Sequence, residues 1–194
     1  MDRPRLWTVG HGSRSSDELV AFLRGAGIRT LVDVRARPAS RRHPWFAREA
    51  LIARLGTEGI AYVWEGRDLG GRRSLSGWSP HTALAEPGLR AYAQHMGTEA
   101  FRQAALRLLA LAEAAPTAVL CAESDPARCH RSLLADHFVA VLGIEVVHLL
   151  GPGTACPHRL HPGARLERGR LVYDGGTPEL PGLDAGMDAG GCPA

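Results

Sequence analysis

The chain has 194 residues, 45% of them hydrophobic, and a net charge of +3. That length suits one domain with a sizeable core and is short for two. There is no apolar run of about eighteen residues, and the opening MDRPRLWTVGHGS lacks the basic and apolar segments of a secretory leader. Neither a membrane span nor a membrane partner is therefore expected, and the expected location is cytoplasmic. All 23 basic residues are arginine, and lysine and asparagine are both absent. Codon usage in a GC-rich genome accounts for this, but it has a chemical consequence: no lysine side chain can form a Schiff base.

The first apolar run, residues 6–9, ends in Gly10-His11-Gly12-Ser13. Ser15 or Ser16 then caps a helix carrying Leu19, Phe22 and Leu23, which Gly25 and Gly27 stop. Residues 30–34, TLVDV, suit a buried parallel strand, so the chain opens as β-α-β. An arginine- and proline-rich loop follows, RARPASRRHPWF, then a helix over 48–55 and a strand over 60–64. Residues 68–87 show no period and are expected to form a long loop. Residues 90–114 form the strongest helical stretch, broken near Gly97-Thr98. A strand over 117–121, a helix over 129–142 and a strand over 144–149 make a second β-α-β unit. A small hairpin is expected around Arg168-Gly169, and residues 177–194, rich in Gly and Pro, read as a disordered tail containing Cys192. The implied fold is one α/β domain over 1–176, with a mostly parallel Rossmann-like sheet covered by helices on both faces.

Such sheets bind ligands beyond the carboxyl ends of their strands, where three polar groups fall: 10–13, Asp33 with Arg35, and Cys121-Ala122-Glu123 with Cys129-His130-Arg131. Capping explains any one of them, but three at one edge are harder to dismiss. Arg35, Arg37, Arg41 and Arg42, with Ser40, form a plausible phosphate clamp, since guanidinium forks match phosphate geometry; the alternative is a solvated basic loop. Gly70-Gly71 ahead of Arg72 and Arg73 lets backbone approach a ligand. His130 and Arg131 at a helix start attract anions. Trp45 and Trp78 are candidates to stack on bases, whereas Phe46 and Trp64 suit the core.

The four cysteines do not suggest a disulfide scaffold, and a reducing compartment keeps them as thiols. Cys121-x7-Cys129-His130 matches no common zinc spacing, so no metal and no cofactor are expected. Cys121 at a strand end, with Arg128 seven residues on, bears a superficial likeness to phosphatases and rhodanese-like enzymes, although their loops differ in length. Burial as a small apolar side chain is its alternative.

The motifs TVGHGSRSSDEL, TLVDVRARPASRRHPWF, DLGGRR and CAESDPARCHRSLLAD, with PHRL and GRLVY near the end, resemble the family catalogued as domain of unknown function 488, over about residues 5–173. The resemblance implies a shared fold and shared site residues, and through some members a link to the processing of modified DNA bases. Members often carry an acid just before PHRL, where this chain has Ala155-Cys156. The expected activity is hydrolysis of an N-glycosidic bond in DNA or a nucleotide: arginines hold phosphate, an aromatic ring stacks on an extruded base, Asp33 or Glu123 activates water, and His11 assists the leaving base. Without lysine there is no Schiff-base strand cleavage, the N-terminal amine aside. A Cys121-thiolate enzyme on phosphate or sulfur and a non-catalytic nucleic-acid-binding module are the alternatives. Oligomeric state is not legible.

Overall fold

The computed structural model describes residues 4–39 and 42–176. The expected tail over 177–194 lies outside them, as do Ser40 and Arg41. Strand β1 (Arg5–Gly10) leads into α1 (Ser16–Gly25). Ser15 caps that helix: its side chain accepts from the Glu18 N–H while the Glu18 carboxylate accepts from the Ser15 N–H, a complete capping box. Next come β2 (Thr30–Asp33), a 3-10 turn at Pro44–Phe46, α2 (Arg48–Gly56), β3 (Ala61–Trp64) and α3 (Gly66–Leu69). The second half runs α4 (Pro87–Met96), α5 (Glu99–Ala114), β4 (Thr117–Cys121), a 3-10 turn at Pro126–Arg128, α6 (His130–Ala140), β5 (Glu145–Gly151), β6 (Thr154–Pro157), β7 (Ala164–Glu167) and β8 (Arg170–Tyr173).

Six strands form one sheet in the order β3-β2-β4-β1-β5-β6, parallel except for β6, and β7 and β8 form the small hairpin. Alternation along the strands supplies two cores, one on each face of the sheet. Leu6, Val32 and Val119 pack with Phe101, Leu108 and Leu133 of α5 and α6, while Val9, Leu31 and Leu120 pack with Leu19, Leu23, Leu51 and Leu55 of α1 and α2. This is the expected α/β, Rossmann-like arrangement of helices on both faces.

The segment 68–87, read as loop throughout, instead contributes the end of α3 at one side and the Pro87 start of α4 at the other. A four-residue helix has no period to detect, and Pro at N1 is favourable because its missing N–H has no intrahelical acceptor. Strand β6, also unforeseen, pairs antiparallel on β5 and extends the sheet. Cys121 and Cys129 are free thiols, as expected. Among the described residues no helix is long and apolar enough to cross a membrane.

Candidate functional site

Register places the strand ends together. Gly10 lies opposite Cys121, Asp33 opposite Leu120 on one side and Trp64 on the other, so the loops after β1, β2, β3 and β4 leave from one edge. The edge continues past the strands, because the His11 and Gly12 N–H groups donate to the carbonyls of Cys121 and Ala122. Two clefts open there. The larger, about 1050 Å³, is lined by His11, Ser13, Arg42, His43, Glu123, Arg128 and Cys129, among others. The smaller, about 410 Å³, is lined by Arg35, Arg37 and Arg72, and His11, Gly71, Cys121, Ala122 and His130 line both.

The arginines divide into two groups. Arg35 is 7% exposed and fully engaged: Nε and Nη2 donate to the Asp33 carboxylate at 2.9 and 2.6 Å, Nη2 also donates to the Phe46 carbonyl, and Nη1 lies 3.3 Å from His11 Nε2. Arg131 is 1% exposed and donates to the carbonyls of Glu123 and Ser124, so it clamps the loop after β4 from inside. Arg37, Arg42, Arg72 and Arg128 are exposed at the cleft walls and make no salt bridge to any described residue. These four are the guanidinium groups at the cleft walls available to an anion; Arg37, Arg42 and Arg72 belong to the basic loops read from the sequence, whereas Arg128 is noted there only beside Cys121 and not as a phosphate contact. Arg128 ends the short turn after Pro126, a position without periodicity to mark it.

The two carboxylates singled out also part company. Asp33 is 0% exposed and accepts from the Arg35 N–H, the Arg35 side chain and the Tyr62 hydroxyl, the last at 2.7 Å. Glu123 is half-buried in the larger cleft, accepts from the Asp125 N–H at 3.2 Å, and forms no ion pair with any described residue. Its backbone is fixed twice, by Arg131 and by Gly10. A Cβ on Gly10 would lie 1.8 Å from the Glu123 carbonyl oxygen, so only glycine lets the loop sit against β1.

His11 is buried and stacks on Phe46, with ring centroids 4.2 Å apart. Its Nδ1 faces the Gly12 carbonyl at 2.9 Å and must donate, which leaves Nε2 to accept from Arg35. Burial lowers the His11 pKa below its ordinary value, and the Arg35 charge adds to that, so the ring is held neutral.

Cys121, Cys129 and His130 form a compact triangle. His130 Nδ1 lies 3.8 Å from the Cys121 sulfur and 3.7 Å from the Cys129 sulfur. Hydrogen bonding from Cys129, aided by His130 and the Glu123 N–H and opposed by burial, holds the Cys121 thiol well below its ordinary pKa, while the same contact drives the Cys129 thiol up. Gly71 backs directly onto the imidazole, since a Cβ there would lie 2.3 Å from Nδ1.

Trp45 is partly exposed, lies beside His43 with ring centroids 5.3 Å apart, and donates from Nε1 to the Arg14 carbonyl. Trp78, 81% exposed, instead lines a separate cleft with Arg165 and Asp174. Phe46 is fully buried, and Trp64 donates to the Arg35 carbonyl beneath the loop. Gly70 packs against Gly66 and Ala36, which holds the turn that presents Gly71 and Arg72.

No curated protein and no solved structure matches the chain. Residues 15–138 match the family model described as Domain of unknown function DUF488, a span that contains both clefts' central residues except His11, Gly12 and Ser13. The chain therefore belongs to the DUF488 family.

Proposed function

We propose that the protein is a hydrolase acting on a phosphate-bearing substrate, a nucleotide or nucleic acid with DNA foremost, and that it breaks an N-glycosidic bond with Glu123 as the water-activating carboxylate. One observation carries this reading: Glu123 is a rigidly mounted carboxylate with no ion-pair partner among the described residues, in a cleft walled by unpaired guanidinium groups. A general base must keep a lone pair free toward the cleft, and Glu123 does so, whereas the lone pairs of Asp33 are taken by Arg35 and Tyr62. In this reading Asp33 is a positioning residue that fixes Arg35 and, through it, His11. Arg37, Arg42, Arg72 and Arg128 hold phosphate, with Ser13 as a further donor and Trp45 as the stacking surface at the rim.

A second reading is favoured by the placement of Cys121 on the floor of both clefts, with His130 within reach of its sulfur: a thiolate nucleophile attacking a phosphorus or sulfur centre. The two are separated by a panel of modified-base oligonucleotides and nucleotides scored for base release. Glu123→Gln should lower base release by about a hundredfold or more with folding retained, and the products tell the readings apart: the N-glycosidase leaves free base and an intact phosphate, whereas a thiolate nucleophile on phosphorus or sulfur leaves the base attached to its sugar. Base release at an undiminished rate in Glu123→Gln would refute the proposal.

A further inference from the structure

The fold gathers two thiols and an imidazole from a strand end and a helix start. Cys121 is the last residue of β4, Cys129 precedes the first turn of α6, and His130 is the first residue of that helix. Their ligand atoms, two Sγ and one Nδ1, all lie within 4.8 Å of one another, with 3.7 and 3.8 Å from the nitrogen to the two sulfurs. In a tetrahedral zinc site, with bonds of about 2.3 Å to sulfur and about 2.0 Å to nitrogen, the edges come out at about 3.5 Å for N···S and about 3.8 Å for S···S. The two N···S edges, at 3.7 and 3.8 Å, are thus within a few tenths of an ångström of metal-binding size before any ion enters, and the sulfurs, within 4.8 Å of each other, need close by at most about 1 Å.

Two independent details point the same way. The Cys129 side chain occupies the N-cap position of α6 yet makes no capping hydrogen bond, so its sulfur is committed to the triangle. His130 Nε2 is buried without a hydrogen-bond partner among the described residues, so Nδ1 is the ring nitrogen placed to bind. Gly71 on one side, and Tyr92 packed edge-on with ring centroids 4.9 Å away, hold the ring so that Nδ1 faces the sulfurs.

We infer that Cys121, Cys129 and His130 bind a divalent zinc-class cation, with a fourth position open to the clefts. Thiolate and imidazole donors select zinc over magnesium or calcium, and three protein ligands with one open position are the pattern of a catalytic rather than a structural site. The absence of a recognisable spacing in the sequence is no obstacle, because the strand-loop-helix geometry gathers the donors.

The role of the ion rests on the hydrolase reading. Glu123 lies two residues after Cys121 in the same cleft, so a water on the ion has a base beside it. The water gives a proton to Glu123, its oxygen bonds to the sugar carbon, the carbon–nitrogen bond breaks with its electron pair going to the base, and Glu123 returns the proton to that nitrogen. Cys121 then serves as a ligand and not as a nucleophile.

The test uses the full chain, purified with a phosphine reductant, stripped with a chelator, and titrated with Co²⁺. One equivalent should bind, with thiolate-to-cobalt absorption in the near ultraviolet and the visible bands of tetrahedral cobalt, and Zn²⁺ should displace it. Cys129→Ala and His130→Gln should each weaken binding by more than about a hundredfold, since even outer-shell changes cost ten- to a hundredfold. Circular dichroism checks that each variant folds. Absence of the bands in the wild-type protein, or bands unchanged in both variants, overturns the site. Base release by the stripped protein at the full rate overturns the catalytic role alone, whereas base release independent of Glu123 overturns the assignment of Glu123 as the base, and no base release at all overturns the hydrolase reading, each leaving the metal site standing.

Discussion

Replacing Asp33 by Asn tests the assignment of this buried carboxylate to positioning. Asp33 is 0% exposed and Arg35 7%, so the substitution leaves a guanidinium inside the protein without its counter-charge. The amide also turns a donor toward Arg35 or the Tyr62 hydroxyl, both of which are themselves donors to this group. Removing one partner of a buried pair costs about 3–5 kcal/mol. With a urea m-value of about 2 kcal/mol/M for a chain of this size, the unfolding midpoint should fall by about 2 M. Tyr62→Phe removes one hydrogen bond from the same carboxylate and should cost about 1 kcal/mol, or a midpoint shift of about 0.5 M. Urea titrations followed by circular dichroism and tryptophan fluorescence give both numbers. If Asp33→Asn unfolds at the wild-type midpoint but turns over substrate a hundredfold more slowly, the positioning assignment is wrong and Asp33 is the water-activating carboxylate.

Gly10→Ala should act on activity through the backbone, because the new Cβ must displace the Glu123 carbonyl; a loss of about 1–3 kcal/mol in stability, with activity falling at least about tenfold, is expected by analogy with overpacking. Wild-type stability and rate in that variant would show that the loop after β4 moves freely. Acid should destabilise the fold: burial pushes His137 down to about 4 and His148 down to about 3, the latter helped by His158 and Arg131. The unfolded chain, with histidines near 6.5, takes up protons first, so stability present above about pH 6.5 is lost as pH falls towards these values. Each of the two contributes a loss of about 2 kcal/mol by pH 5, and equal urea midpoints at pH 7.5 and pH 5 would contradict this. Nucleic-acid binding through Arg37, Arg42, Arg72 and Arg128 should weaken by roughly 50- to 150-fold between about 50 and 200 mM salt if four phosphates are neutralised, and a flat response in a filter-binding series would refute a phosphate-led interface.

The sheet was legible because its strands are short apolar runs separated by helical periods, and burial on both faces writes that pattern directly. What the pattern left out follows from size and context. Helix α3 is only four residues long, and β6 is a mostly exposed edge strand with a Pro at its end and one buried residue, Cys156. The location of the site was also legible, since polar groups at the ends of β1, β2 and β4 must meet once those strands are neighbours in a parallel sheet. The division of labour within it was not. Arg35 and Arg37 are two residues apart and chemically identical, yet one is locked between Asp33, His11 and Phe46 while the other faces the cleft. Asp33 and Glu123 likewise each follow an apolar strand, and what separates them lies elsewhere in the chain: the Tyr62 hydroxyl on β3 that closes off one carboxylate, and the glycine on β1 and the buried arginine of α6 that mount the other. A carboxylate's role here depends on whether the fold supplies it with donors. For Asp33 one donor set, the backbone and side chain of Arg35, lies two positions away and is visible in the sequence, but the Tyr62 hydroxyl that completes it comes from 29 positions away, and nothing in the spacing around Glu123 shows that it has no such partner.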